Sequence, residues 1–276
     1  MKYGAFIQSN TQQLSGAKLA KYALETRGGL AARGIPVSII KVEDVPEFRA
    51  FVGKPYRYGK PYGFEDLQSF TLTRFMPPEL MGFEGRALVI DPDIFVATGD
   101  ITSIFEMDMK SAGIAACKKN PWDTSVMVLE CAKLPHWKIG EMLTDIASGK
   151  RTYEEIAQLR SETVPIQELP RVWNNLDTLT PETKMLHTTN RLTQPWKTGL
   201  PIDFTFNPVP KLFGVIPRFW VRHPTRYQPH PDKNIERFFV TLLKDALEAG
   251  AVARTEIEAA VASGHIRKDI FALIAS

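Results

Sequence analysis

Arg86-Ala-Leu-Val-Ile-Asp-Pro-Asp-Ile-Phe-Val96 is the stretch on which the reading of this chain turns. Ala87 to Ile90 are apolar without a break, as in a strand buried on both faces of a sheet. Pro92 has no N–H for a ladder, so the chain is expected to leave the sheet there and project Asp91 and Asp93 from the carboxyl edge. In open α/β sheets ligands bind at that edge. Two carboxylates in one turn repel each other unless a cation or an array of donors lies between them, and a divalent metal is the simplest occupant. The bland alternative is a solvated turn, since average composition yields an Asp-x-Asp on the order of once in a chain this long.

Upstream, Tyr3 to Ile7 predicts a first strand, closed by Gln8, Ser9 and Asn10. A helix is predicted from about residue 12 to 32, with Asn10 or Thr11 as its N-cap, and a second strand over Val37 to Val42. Strand, helix and strand in that order imply a parallel pair and an α/β fold. Residues 53–63 are rich in Gly, Pro, Lys and Tyr and read as a loop, and a helix is predicted over Glu65 to Phe75.

Downstream, short strands are predicted at Gly113 to Ala116, Ser125 to Leu129 and Lys184 to His187, with helical patterns at His136 to Ala147 and Tyr153 to Leu159. A Pro-rich stretch follows from Gln194 to Pro231. The last segment, from Asp232, carries helical periodicity, which suggests residues 1–231 as the catalytic domain and 232–276 as a C-terminal helical appendage.

With 276 residues and 44% hydrophobic content the chain can bury a large core, and a net charge of +3 carries no strong nucleic-acid footprint. Cys117 and Cys131 lack the spacing of a zinc site or the number of a disulfide framework, which fits a reducing cytoplasm. The N-terminal apolar stretch is too short for a signal peptide, and no segment reaches the length of a membrane span. The expectation is a cytoplasmic protein, at most peripheral at the inner face of a membrane. Phe219 to Tyr227 mixes cationic and aromatic residues; its readings are a packed surface loop, a contact with anionic lipid, or an acceptor surface.

Four segments together resemble the core of a GT-A glycosyltransferase, and more narrowly glycosyltransferase family 8. They are Leu72-Thr-Arg-Phe-Met-Pro-Pro-Glu-Leu80; the Asp91-Pro-Asp93 strand followed by Gly99-Asp-Ile101; Asp123-Thr-Ser-Val-Met-Val-Leu129; and Leu186-His-Thr-Thr-Asn-Arg-Leu-Thr-Gln-Pro-Trp196. They recur in the family's order over about 200 residues, and order is harder to obtain by chance than a single motif. The resemblance implies a GT-A type Rossmann-like mixed sheet flanked by helices. It also implies transfer of a sugar from a nucleotide-diphosphate donor, UDP-linked, with retention of anomeric configuration, to a glycan, lipid or protein acceptor.

In that reading Asp91, Asp93 and His187 hold the metal, and two carboxylates with an imidazole suit Mn²⁺ better than Mg²⁺. The nucleotide side is implied to comprise Gln8, Ser9, Asn10, Arg74, Pro92, Asn190, Arg191, Gln194 and Lys197. The sugar or acceptor side is implied to comprise Asp123, Thr124, Ser125, Trp173, Asn174 and Trp196. Each has an ordinary alternative: strand-end cap residues for 8–10, a solvated helix residue for Arg74, a hydrogen-bonded structural histidine for His187, a core ring for Trp173.

The chain also departs from the family. Asn190 and Gln194 stand where a Gly and a phosphate-binding Lys are usual, leaving Arg191 or Lys197 to supply that charge. An Asp-Gln helix pair has no clear counterpart, although Glu154, Glu155 and Gln158 fall in its region, so the group facing the anomeric carbon stays unassigned. Two rivals follow. One is an inert nucleotide-sugar-binding module of the same fold. The other is a phosphatase of the haloacid dehalogenase type, against which Phe95 stands where a Thr or Val is wanted.

Overall fold

The computed structural model describes residues 1–203 and 224–275, with the backbone alone at 211–212 and 216–217. The chain divides into two compact units, Met1–His187 and Thr188–Ser276.

The first unit opens with strand β1 (Tyr3–Ser9), helix α1 (Leu14–Glu25) and strand β2 (Val37–Lys41). Short helices α2 (Pro46–Phe51) and α3 (Pro77–Leu80) precede strands β3 (Arg86–Ile90) and β4 (Ile94–Val96). Then come β5 (Ile114–Lys118), β6 (Trp122–Glu130), α4 (Ile139–Ala147), α5 (Tyr153–Ala157), β7 (Ile166–Glu168), β8 (Asn175–Leu176) and β9 (Met185–His187).

Six strands form one mixed sheet in the order β2-β1-β3-β6-β5-β7. β1 pairs parallel with both β2 and β3, as the strand-helix-strand opening requires, but β6 runs antiparallel to β3. A doubly wound phosphatase sheet would continue parallel past the motif strand, so this topology speaks against that rival. Arg86 to Ile90 read as predicted: Ala87, Leu88, Val89 and Ile90 are all buried, because both faces of β3 are covered. On one face the core gathers Phe48, Phe75, Trp137, Met142 and Met127, with the Phe75 and Trp137 rings 4.7 Å apart edge to face. Each such fully buried ring contributes roughly 2–3 kcal/mol of transfer free energy.

A second, three-stranded sheet has the order β4-β9-β8. β4 pairs antiparallel with β9, setting Ile94 opposite His187, and β8 pairs parallel with β9. This small sheet carries the histidine back to the end of β3.

Two predicted helices are shorter than expected. Helix α1 stops at Glu25, and residues 26–34 pass through turns. A Cβ at Gly28 would lie 2.6 Å from Leu24 O and Gly29 has φ +75°, a conformation that disfavours other residues. In place of a helix over Glu65 to Phe75 there is a 3-10 turn at Thr71–Phe75. The Asp66 carboxylate accepts the Gln68 N–H at 2.8 Å, an Asx-type bond that competes with helix formation.

The second unit contains a 3-10 turn at Arg191–Thr193, a two-stranded antiparallel pair, β10 (Lys211–Leu212) with β11 (Ile216–Pro217), and helices α6 (Lys233–Glu248), α7 (Arg254–Ala262) and α8 (Ile270–Ala275). Within it the Trp196 ring meets Phe239 at 5.2 Å, and the Arg267 N–H donates to Trp196 O at 2.7 Å. These contacts tie residues near 195 to the C-terminal helices, so the compact unit begins well before residue 232, where helical periodicity sets in. Phe219 to His223 of the basic-aromatic segment lie outside the described residues. Among the described residues no helix is long and apolar enough to cross a membrane.

Candidate metal and nucleotide site

The end of β3 is fixed by its neighbours. Asp91 N–H donates to Ser125 O of β6 at 3.1 Å, and Ile94 N–H closes the turn on Asp91 O at 3.3 Å. Helix α1 passes so close that a Cβ at Gly16 would lie 2.9 Å from Pro92 O. A glycine inside a helix costs about 1 kcal/mol relative to alanine, and this approach is the reason for it here.

Asp91, Asp93 and His187 each present a ligand atom, and these atoms lie within 4.8 Å of one another. His187 Nε2 stands 3.4 Å from Asp93 Oδ1. Asp91 and His187 are buried, and Asp93 is partly open. Arg74 grips Asp91 with both arms of its fork, Nε to Oδ1 at 2.9 Å and Nη2 to Oδ2, while Nη1 donates to Thr124 Oγ1 at 2.9 Å. Thr124 in turn donates to Ala157 O of α5 at 2.8 Å. Burial pushes the Asp91 carboxyl above the usual carboxylate range; the Arg74 guanidinium opposes that push and the Asp93 carboxylate adds to it. Burial lowers His187, but Asp93 and then Asp91 outweigh it and raise the imidazole above its ordinary value. The raised imidazole reflects the negative charge of Asp93 and Asp91 beside it.

A chain of polar contacts extends behind the histidine. His187 Nδ1 is 2.8 Å from Asn174 Oδ1, Asn174 Nδ2 donates to Ser125 Oγ at 3.0 Å, and Ser125 Oγ–H donates to Asp123 Oδ1. Lys119 and Arg171 face Asp123 Oδ2 at 3.7 and 3.8 Å. Despite burial, the bonds from Ser125 and the Lys119 charge hold Asp123 below the usual carboxylate range.

The residues expected on the nucleotide side divide between the units. Gln8, Ser9 and Asn10 are buried at the end of β1. Gln8 Oε1 accepts the Thr73 hydroxyl at 2.8 Å; Asn10 Oδ1 caps Gln13 N–H at 3.0 Å, and its amide reaches Ser69 Oγ at 3.2 Å. Their side chains thus build the wall of the strand end. Asn190, Arg191, Gln194 and Lys197 belong to the second unit, as does Trp196 of the residues expected on the sugar or acceptor side. There Asn190 Oδ1 caps Leu192 N–H at 3.1 Å, Arg191 is exposed, and Gln194 is half-buried. Lys197 is buried in an ion pair with Asp203, with Tyr227 Oη 3.3 Å from its ammonium. Trp173, in a 3-10 turn at Arg171–Trp173, is half-buried.

Of the residues weighed for the missing helix pair, Glu155 is spent in a capping box with Thr152. Glu154 Oε1 and Gln158 Oε1 are buried with no hydrogen-bond partner. Sequence reasoning missed Tyr153, whose ring lies under the Arg57 guanidinium at 5.8 Å, and it missed Gly16, Lys119 and Arg171. Gly16 alone carried a legible signal, a glycine inside a predicted helix.

No family model matches this sequence. No curated protein matches it either. Solved structures do. The apo form of the glycosyltransferase GlyE from Streptococcus pneumoniae TIGR4 is similar with a TM-score of 0.50 at 17% identity, over 75% of this chain and 57% of that one. The chain therefore spans little more than half the length of that structure. The galactosyltransferase LgtC, in complex with donor and acceptor sugar analogues, is similar with a TM-score of 0.49 at 13% identity, over 70% and 89%. Mouse xyloside xylosyltransferase 1 in its apo form has a TM-score of 0.43 at 11% identity, over 68% and 98%. At such identities the likeness shows the fold, which is the GT-A fold of glycosyltransferases.

Proposed function

We propose that this chain is a glycosyltransferase that takes a sugar from a nucleotide-diphosphate donor, UDP-linked, and holds the diphosphate through a divalent metal. The observation that carries this reading is the convergence of Asp91, Asp93 and His187 at the carboxyl end of β3 in a GT-A sheet. The donor set fits a metal: two carboxylates and a neutral imidazole suit Mn²⁺ better than Mg²⁺, which prefers oxygen throughout. When bound, the ion supplies Lewis-acid stabilisation of charge on the departing diphosphate.

The chain's own residues set the stage for that departure. Asp91, Asp93 and His187 would hold the ion, and the strand end at Gln8 to Asn10 walls the nucleoside side. Arg74 orients Asp91 and shares its fork with Thr124, tying the site to α5. Glu154 on α5 and Gln158 just after it, with their unpartnered buried oxygens, are the groups left there for a substrate. Retention of configuration and a glycan, lipid or protein acceptor complete the proposal, and a cytoplasmic or peripheral location goes with it.

One observation favours the second reading, a binding module without turnover. Lys197, which would replace the usual phosphate-binding lysine, is spent on Asp203 and Tyr227. A panel of nucleotide sugars with Mn²⁺, followed by thermal shift and nucleotide release, separates the readings. Metal-dependent stabilisation by UDP-sugars with release of UDP is the expected result. Stabilisation without release identifies the inert module, and phosphate release from simple esters sinks both.

A further inference from the structure

We propose that Asp123, Ser125 and Asn174 form a one-way hydrogen-bond relay that keeps a proton on His187 Nδ1, leaving Nε2 as the ring nitrogen turned to Asp93 and Asp91. These three are positioning residues for the histidine. Their consequence for metal affinity rests on the metal reading above; the tautomer itself does not.

The direction of the relay follows from what each group can do. An ionised carboxylate only accepts. Asp123 Oδ1 takes the Ser125 backbone N–H at 3.1 Å and also the Ser125 hydroxyl, so the hydroxyl proton is committed there. Ser125 Oγ is left with lone pairs alone, and the Asn174 atom 3.0 Å away must be the amide nitrogen. That choice turns the amide carbonyl toward His187 Nδ1 at 2.8 Å. A carbonyl cannot donate, so Nδ1 carries the proton, and Ser125 Oγ, 3.4 Å from the same nitrogen with its own hydrogen on Asp123, can only accept there as well. Reversing the chain would withdraw the hydroxyl from Asp123, which keeps its charge through Lys119 and Arg171, and would sacrifice a charge-assisted bond.

The relay is dry: Asn174 has 0% exposure, Ser125 3%, Asp123 5% and His187 7%. No solvent competes for its bonds, and a wrongly turned amide would leave buried groups unpaired at a cost of about 1–3 kcal/mol each. It also links the two sheets of the first unit. Asp123 and Ser125 lie on β6, Asn174 precedes β8, and His187 ends β9. Ser125 O receives the Asp91 N–H as well, so one residue positions both the first aspartate and the histidine.

Two measurements test this. The first is the ¹⁵N spectrum of the imidazoles in metal-free protein, with His187 titrated to its neutral form. The Nδ1–H tautomer is expected in the wild type, and a mixture, or the Nε2–H form bonded to Asp93, in Ser125→Ala and Asn174→Leu. The second is calorimetric titration with manganese chloride. Affinity should fall ~10–100-fold in both variants, the scale found for partners that orient a metal-binding histidine, and return in Ser125→Thr, which keeps the hydroxyl. An Nε2–H tautomer in the wild type overturns the relay, whatever the metal does. An unchanged tautomer and affinity in Ser125→Ala overturns it as well. A wild type that shows the Nδ1–H tautomer and binds no manganese supports the relay and refutes the metal reading. If the variants do not fold, the wild-type spectrum still decides.

Discussion

Two carboxylate–histidine pairs lie in the first unit, and they differ in which partner is outnumbered. At Glu162 donors are in excess. Its carboxylate accepts from Trp137 Nε1 at 2.7 Å, from the N–H groups of Thr163 and Val164 at 2.8 and 2.9 Å, and from His136 Nε2 at 3.1 Å. At the end of β3 two carboxylates meet one imidazole, with Arg74 engaging Asp91 and His187 facing Asp93. The carboxyl at Glu162 is lowered and the one at Asp91 is raised. A carboxylate ringed by donors is a finished structural joint, while two carboxylates converging on one imidazole form a place for a cation.

The largest expected separation comes from removing one acid at each place. Asp93→Ala should abolish manganese-dependent UDP binding, a loss of more than about 100-fold, and leave the melting temperature of the metal-free protein within a few degrees. His187→Ala should cost ~10–100-fold in manganese affinity. Unchanged nucleotide affinity in the first variant, or superimposable manganese titrations in the second, removes that residue from the site. Glu162→Ala should do the reverse. It strands the buried Trp137 N–H and two backbone donors, lowering unfolding free energy by about 3 kcal/mol in urea titrations, with manganese affinity intact. Loss of manganese binding in a folded Glu162→Ala protein would erase the distinction between the clusters.

Arg74 sharpens the comparison because its guanidinium is already committed to Asp91. Arg74→Gln leaves Asp91 buried without its guanidinium, at a cost of about 2 kcal/mol. Manganese should then raise the melting temperature of the variant by several degrees more than that of the wild type, at roughly 2–4 °C per kcal/mol for a chain of this size. Equal metal-induced shifts would mean that Arg74 and the ion do not share Asp91.

What the sequence disclosed, and what it withheld, follows the range of the forces involved. Ala87 to Ile90 and the Asp91-Pro92-Asp93 exit were legible because burial on both faces and the missing proline N–H are local facts. The motif order through Arg74, Asp123 and His187 pointed to the fold. The pairing of Ile94 with His187 was not legible, since a three-residue strand such as Ile94–Val96 carries no period of its own and its partner lies some ninety residues away. Asn174 and Ser125 were expected beside a sugar; the structure spends their polar atoms on His187 and Asp123, a relation that only three-dimensional proximity reveals. Lys197 looked available until its partners Asp203 and Tyr227 came into view.

The smallest effect concerns pH, and it isolates the saturated cluster. Burial alone would raise Glu162, but the Val164 N–H, the Trp137 indole and His136 outweigh it and hold the carboxyl below its ordinary value of about 4.3. Between the two values the unfolded chain binds more protons than the folded one, so stability rises with pH there. The contribution is complete above about pH 4.3 and is lost as pH falls through the lower folded value. Glu162→Gln keeps the shape and removes the titration. In urea unfolding, the stability gap between wild type and this variant should therefore be wide above about pH 5 and narrow toward pH 3. Acids elsewhere in the chain titrate in both proteins and cancel in the difference. A gap that stays constant over that range would show that Glu162 contributes nothing through its charge. Asp93→Ala should leave the gap and its pH dependence as they are, since the two clusters share no residue.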